Sequence, residues 1–440
     1  MIFDCFTFFD ELDLLELRLQ ILAPVVDRFV ICEAPFTFRG TPKPLHFQNA
    51  MHRFEPWREK IVHLVYERPI SSDPWENEFG QRNRLIDGLH ESSPDDLILI
   101  GDCDEIPDPR NVARRPVASR ILAHRQRFSI GYVNRISRVV WVGTRAIARR
   151  DIEAYGSINT VRQQPESETE TVDGGWHFSS FGGADVMGKK RAAYSHVEYG
   201  IPYYADRRRL EVECASENEA EWVPLDESFP GPLRRDARWS RYVWPKPPSQ
   251  TREHVLALEH AHGCYAYVPD EAARVVAISQ DTERFQAAGQ ARFGARFDGV
   301  ATSLRDVRAV AGAWIVVDGL ERENLDSFRG ARTAGAGVVA YARNAGSCTR
   351  LHALLEGAAF PQGRAAAIGE LRAWLAANGE PADVEDRIES VELSGFIWSR
   401  VPEMLYDFEV REFRFPELSR SALSDFLAHA FIFRFGPRSA

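Results

Sequence analysis

The sequence predicts an α/β protein: a mixed, mainly parallel sheet with covered faces, followed by a second, smaller α/β domain. Two observations predict it. Short apolar strands alternate with helical patterns through the first 110 residues. Beyond a proline-rich stretch, "WPKPPSQTRE" at 244–253, a new series of strands and helices begins in an alanine- and arginine-rich background. A length of 440 residues suits two domains. We place them at 1–245 and 246–440.

The elements follow in order. "MIFDCFTF" reads as a strand. "DELDLLELRLQIL" has Leu12, Leu15, Leu19 and Leu22 at helical spacing, with Asp10 as its N-cap. "VDRFVICEA" and "KIVHLVYER" are the next strands. "NEFGQRNRLIDGLHE" is a helix, and "DDLILIGD" a fourth strand. A helix, then strand pairs in "FSIGYVNRISRVVWVGTRA", are expected over 111–150. "QQPESETETVD", 163–173, reads as a mobile polar loop. In the second half, "AWIVVDGL", "GVVAYAR" and "HAFIFRF" are strands. "ENLDSFRGARTA", "CTRLHALLEGAAF" and "GRAAAIGELRAWLAANG" are helices.

Composition removes several function classes. The net charge is −10, against the basic footprint that electrostatic nucleic-acid binding needs. No run of about 18 apolar residues spans a bilayer. The N-terminus carries acids and no basic n-region, unlike a signal peptide. The six cysteines are scattered without C-x-x-C, which fits reduced, buried thiols in a cytoplasmic protein.

The chemistry concentrates at the end of the fourth strand, "GDCDEIPDP". Ligands on parallel sheets gather at strand carboxyl ends. Asp102, Asp104 and Glu105 crowd negative charge there. Residues i and i+2 of an extended segment point the same way, so Asp102 and Asp104 can converge. A divalent cation with oxygen ligands would offset their repulsion and bridge them to a diphosphate. Arg82 and Asn83 lie in the helix leading to this strand, and an arginine can fork onto phosphate. Glu33 ends the second strand at the same edge, where it could accept from a ribose or a uracil. In "DGGWHFSSFGG", glycine pairs permit close approach, Trp176 offers a stacking face, and the His177 imidazole can complete a metal site. The plainer alternatives are a polar turn, a solvated helix face, a surface acid and a hydrogen-bonded core histidine.

Taken together, "IFDCFTFFDELDLLELRL", "VDRFVICEAPFTFRGTPKPLHF", "GDCDEIP", "WVGTRA" and "GGWHFSSFGG" resemble glycosyltransferase family 17, over roughly residues 1–245. Arg82-Asn83 before the D-x-D strand also resembles the wider GT-A superfamily. The resemblance implies a GT-A fold, an inverting transfer from a UDP-sugar, and GlcNAc as the sugar moved to a glycan or glycoconjugate acceptor. It implies dependence on Mn²⁺ or Mg²⁺. Asp102, Asp104 and His177 would then meet the metal. Glu33, Arg82, Asn83, Asp102 and Trp176 would meet the donor. Animal members carry a membrane anchor that is not seen here, so a cytoplasmic, bacterial enzyme is expected.

Inversion needs a carboxylate to take the acceptor's proton. Asp173 is the first candidate, Glu105 the second and Asp108 the third. Two other readings stand beside the transferase. One is a catalytically weak nucleotide-sugar or carbohydrate-binding protein. The other is a nucleotidyl- or phosphotransferase, which lacks the support of a P-loop. The second half carries "AGAG" before a strand, where the dinucleotide fingerprint needs its glycines after one. We therefore read it as an accessory α/β domain.

Overall fold

The computed structural model describes residues 1–69, 71–216, 220–244, 252–307, 311–320, 325–343, 368–377, 385–389, 406–410, 413–418 and 428–437. The chain divides into two compact units. One comprises Met1–Val197 with Glu213–Gln250, the other Glu198–Val212 with Thr251–Ala440. The helix expected at "CTRLHALLEGAAF", most of the proline-rich stretch and Cys348 lie outside the described residues.

In the first unit, β1 (Ile2–Thr7), β2 (Arg28–Glu33), β3 (Ile61–Val65) and β4 (Leu97–Asp102) form a parallel core in the order β4-β1-β2-β3. The runs of Val, Ile, Leu and Phe in β1, β2 and β4 are buried on both faces, as covered parallel strands require, while β3 at the edge is only partly buried. β5 (Glu105–Pro107) continues after a two-residue turn. The strands β6 (Ile121–Ile130), β7 (Arg135–Ser137), β8 (Trp141–Ala148), β9 (Glu170–Ser179) and β10 (Ala220–Trp222) complete a ten-stranded mixed sheet. β8 runs antiparallel to β4. β9 runs parallel to β6 and antiparallel to β5.

Helix α1 spans Leu12–Leu22, α2 His46–Asn49, α3 Pro74–Asn83, α4 Ile158–Arg162 and α5 Ala184–Ala193. Three sequence expectations need correction. Asp10 does not cap α1; its N-cap position is Glu11, whose Oε2 instead accepts from the amides of Phe9 and Asp10. No helix forms over 111–120, where turns and bends lead into β6; Pro116 lacks the amide that a helix there would need. The polar stretch 163–173 is not all loop, since its last residues begin β9.

Short helices α6 (Pro202–Ala205), α7 (Arg207–Ala215) and α8 (Gly231–Arg235) follow in sequence. The second unit is built on β11 (Val275–Ile278), β12 (Phe297–Ala301), β13 (Trp314–Asp318), β14 (Gly337–Arg343), β15 (Asp386–Glu389) and β18 (Ala428–Phe435), in the order β12-β11-β13-β14-β18-β15. The first four are parallel and β18 is antiparallel to both neighbours. β16 (Tyr406–Val410) and β17 (Phe413–Leu418) pair with each other. The helices are α9 (Arg252–Tyr265), α10 (Thr282–Phe293), α11 (Leu325–Thr333) and α12 (Ile368–Ala377).

Candidate active site

The parallel core delivers β4 to its carboxyl end at Asp102. There the strand stops and Cys103-Asp104 turns the chain into β5. This turn overrides the alternation that would have pointed both aspartates at one ion. Each meets its own cations. Asp102 Oδ1 accepts from Arg82 Nη2 at 3.0 Å and from Thr7 Oγ1 at 3.3 Å, and its Oδ2 lies 3.7 Å from Arg162. Asp104 Oδ2 accepts from Lys190 Nζ at 2.7 Å and lies 3.3 Å from His177 Nε2. The repulsion among the acids is thus offset by charges of the protein itself.

The electrostatics follow from these contacts. Burial pushes the Asp104 carboxyl up, but the charges of Lys190 and His177 outweigh it and hold it well below the usual carboxylate range. Burial also opposes ionisation of Asp102, and Arg82 with Arg162 overcomes it. Lys190 is desolvated too, yet Asp104 raises its affinity for the proton above the ordinary lysine value.

The turn is held from beneath by Arg18. This side chain is fully buried, paired bidentately with Asp4 at 2.6 and 2.7 Å. Its Nη1 donates to the carbonyls of Asp102, Cys103 and Glu105 at 3.0, 3.2 and 2.6 Å. One guanidinium therefore fixes the backbone on both sides of Asp104.

β9 supplies His177 opposite Glu105. Gly174 and Gly175 make this approach possible. At Gly175, with φ +105°, a Cβ would come within 2.5 Å of the Ile106 carbonyl. The His177 ring stacks on Phe128 at 4.7 Å and touches Trp141 at 4.6 Å. Its buried Nδ1 finds no partner among the described residues.

Several predicted residues are elsewhere engaged. Glu33 is wholly buried; it accepts from the amides of Phe47 and Gln48 at the start of α2 and from His63 at 2.9 Å. It is an internal cap, not an acid presented to a nucleotide. Trp176 follows strand alternation onto the face opposite His177, where it packs on the core and donates to the Ser228 carbonyl at 2.9 Å. Asn83 accepts from the Asn159 amide at 3.0 Å, joining α3 to α4. Arg82 is held by Glu78, Asp102 and Asn159.

The three candidate bases also separate. Glu105 is buried, accepting from Trp141 Nε1 at 2.7 Å, the Asp102 amide at 3.2 Å and Arg162. Asp108 is buried and clasped by Arg110 through both oxygens. Neither carboxylate is free to take a proton. Asp173 keeps 87% of its side chain exposed, 3.5 Å from Arg125.

Beside Asp104 lies a small cavity of about 10 Å³, lined by Phe9, Asp10, Glu11, Ser180, Phe181 and Lys190 among others. Burial raises Glu11 above the ordinary glutamate range, against the lowering effect of Lys190. Four residues of this site were not anticipated: Arg18, Arg162, Lys190 and Glu11. Only Arg18 left a signal, a lone arginine on the apolar face of a leucine-rich helix, matched by a lone aspartate inside the apolar strand β1.

Among the described residues, no group of three or more His, Cys, Asp or Glu side chains could hold an ion. Asp104 Oδ2 and His177 Nε2 nevertheless converge at 3.3 Å. Hard divalent ions prefer oxygen ligands and are often held by one or two carboxylates with substrate phosphates as the rest. The pair is one carboxylate and one imidazole in contact, which is not by itself a seat for an ion. Asp102, committed to its arginines, does not join it.

The second unit has its own polar cluster at a carboxyl edge. Asp318, ending β13, accepts from Ser279 Oγ at 2.7 Å and meets His260 Nε2 at 2.9 Å; His260 Nδ1 lies 2.7 Å from the Tyr203 hydroxyl. The turn after β11 is Ser279-Gln280-Asp281, without glycine, and Asp281 itself caps α10. No helix among the described residues is long and apolar enough to cross a membrane.

Comparison with known proteins bears on the first unit. The sequence profile of glycosyltransferase family 17 matches residues 1–231. Beta-1,4-mannosyl-glycoprotein 4-beta-N-acetylglucosaminyltransferase of Homo sapiens is 37% identical over 106 residues, which is 22% of this chain and 20% of the relative. The Rattus norvegicus protein of that name is also 37% identical, and the Mus musculus one 36%, over the same length. The match spans about a fifth of the length of these curated relatives.

Proposed function

This chain belongs to glycosyltransferase family 17, and from that membership we propose that its first unit is a GT-A enzyme transferring GlcNAc from UDP-GlcNAc to a hydroxyl of a glycan or glycoconjugate, with inversion. The observation that carries this reading is the meeting of Asp104 and His177 just beyond the carboxyl end of β4, in the segment the family profile covers. The names of the mammalian relatives support the choice of sugar.

Asp104 and His177 would hold a divalent ion, Mn²⁺ or Mg²⁺, which when bound supplies positive charge to the departing diphosphate. The nucleoside end of the donor would lie against the residues around the cavity beside Asp104. Phe9 and Phe181 offer apolar faces to the base, and Asp10 and Glu11 offer carboxylates to hydroxyl or imide protons. The role expected of Glu33 passes to these two acids. Arg82 and Arg162 hold Asp102 ionised and set the electrostatic field at the edge. Asp173 takes the proton of the attacking hydroxyl. It is the one candidate base with an open carboxylate, and it stands four residues before His177 on β9, about 13 Å along the strand. The second unit serves as an accessory domain, and the enzyme works in the cytoplasm.

The test is release of UDP from UDP-GlcNAc by the full chain with Mn²⁺, alone and with glycan and lipid-linked sugar acceptors. Turnover that disappears in Asp104→Asn supports the reading. Absence of both UDP binding and turnover with every UDP-sugar overturns it in favour of another ligand class.

A further inference from the structure

We propose that Tyr132, Trp222 and Trp244 form an acceptor platform on the first unit, where pyranose rings of an oligosaccharide lie against aromatic faces beside the edge that carries Asp104. The inference rests on the transferase reading and goes beyond it by giving the acceptor a site and a chemical class: an oligosaccharide gripped through sugars other than the one that reacts.

The three rings form one cluster. Tyr132 lies 4.8 Å from Trp244 and 6.2 Å from Trp222, with the ring planes tilted by 38° and 36°. Tyr132 and Trp222 are half-buried, and Trp244, at 40%, is the most exposed aromatic side chain among the described residues. The backbone beneath them is pinned. The side-chain amide of Asn134, itself buried, accepts from the Trp244 amide at 3.0 Å and donates to the Trp244 carbonyl at 2.9 Å. The Asn134 carbonyl accepts from the amide of Val223, next to Trp222, at 2.9 Å. Gly183 admits Tyr132, since a Cβ there would come within 2.4 Å of the phenol oxygen. An exposed tryptophan held this way has little backbone freedom left to lose when a ligand settles on it.

The cluster stands on the same edge as Asp104. β6 and β9 are parallel and both end there. Gly131, just after β6, donates to the Ser179 carbonyl at 2.9 Å and accepts from the amides of Gly182 and Gly183. One residue before Ser179, Phe178 donates to the Asp104 carbonyl at 2.9 Å. Asp104 therefore neighbours β9, β9 neighbours β6, and Tyr132 lies two strand spacings away, on the order of 10 Å across the sheet. A short oligosaccharide covers that distance and a single sugar does not. A pyranose ring presents C–H groups on a face and hydroxyls around its rim. Indole and phenol rings cover the face and leave the rim to water and polar groups. Aromatic rings also stack the bases of nucleic acids, but the net charge of −10 disfavours a polynucleotide.

The experiment is a panel of immobilised mannose- and N-acetylglucosamine-based oligosaccharides with their monosaccharides, probed with the full chain as wild type, Trp244→Ala and Trp244→Phe. Calorimetry follows on the best-retained oligosaccharide, and UDP binding and UDP release from UDP-GlcNAc are measured alongside. Wild type should retain at least one oligosaccharide but not the matching monosaccharide, and its tryptophan fluorescence should shift on saturation. Trp244→Ala should bind that oligosaccharide at least about tenfold more weakly, and Trp244→Phe, which keeps a ring, within about threefold of wild type. The fluorescence shift of the wild type keeps the test decisive should Trp244→Ala fold poorly. If wild type releases UDP from UDP-GlcNAc but retains no oligosaccharide, or Trp244→Ala retains it equally, the platform is wrong and the transferase reading stands. If Trp244→Ala loses UDP and keeps the oligosaccharide, these rings hold the donor's base and the proposal is overturned. If wild type binds no UDP-sugar and releases no UDP, the transferase reading fails and takes the acceptor assignment with it.

Discussion

Both units bring an aspartate and a histidine together at or just beyond the end of a parallel strand, yet the two edges are built differently. At the edge of the second unit, Asp318 takes Ser279 on one oxygen and His260 on the other, and His260 passes on to Tyr203. Ser279, Asp318, His260 and Tyr203 form a short relay around the Asp318 carboxylate. At the edge of the first unit, Asp102, Asp104 and Glu105 lie within four residues and draw in Arg18, Arg82, Arg162, Lys190 and His177. One of those cations is partly exposed and borders a cavity. The comparison teaches that a polar cluster at a carboxyl edge is not in itself a reactive site. A working edge needs charges whose partners can be exchanged for those of a ligand.

The largest effect should come from the support beneath the first edge. Arg18→Leu leaves Asp4 buried without its partner and releases three carbonyls, at a cost of about 3–5 kcal/mol. Denaturant titration should find the first unit unfolded or close to it, and a loss below about 1 kcal/mol would mean the clamp is dispensable. The edges themselves are set against each other by Asp104→Asn and Asp318→Asn. The first should lower transfer at least about a thousandfold, roughly 4 kcal/mol, with the melting profile retained. The second should leave transfer within about twofold. Equal losses would erase the distinction drawn here.

Asp173→Asn should cost about a hundredfold or more in kcat while UDP binding stays within about twofold. Loss of UDP binding as well would move Asp173 from proton transfer to the donor site. The smallest effect is one on which the units should agree. Burial, with Arg145 nearby, pushes His124 of the first unit down to about 4, and burial lowers His262 of the second to about 4. Both folded values lie below the unfolded value of about 6.5. The unfolded chain therefore takes up protons first on acidification. The stability each neutral imidazole contributes is complete above pH 6.5 and is lost between 6.5 and about 4. At pH 5 the loss should be about 2 kcal/mol per histidine, read as falling denaturation midpoints. His124→Gln should flatten the acid dependence of the first unit alone.

Much of the frame was legible in the chain. The parallel core strands stood out because their apolar runs are continuous, and β14 could be bounded to the residue by Gly337 and Arg343. The D-x-D stretch and its strand were legible for the same reason. The partners of that stretch were not. Alternation placed Asp102 and Asp104 on one side, but the turn at Cys103 cancelled it. Glu33 looked like a rim acid because nothing local reveals that α2 folds over it. Trp176 and His177 looked like a pair, although adjacent strand residues face opposite ways.

By itself the sequence determined the class of fold, the order of β1, α1, β2, β3, α3 and β4, the acidic motif and the family to which it belongs. Those properties are local, written in periodicity, breakers and short motifs that neighbouring residues carry together. Only the tertiary structure decided which charge answers which. Lys190 reaches Asp104 across 86 positions of sequence, and Arg18 reaches the Glu105 carbonyl across 87. A buried carboxylate is indifferent to where along the chain its counter-charge arises, so proximity in space, with Arg18 brought in on α1 and Lys190 on α5, selects the pairs.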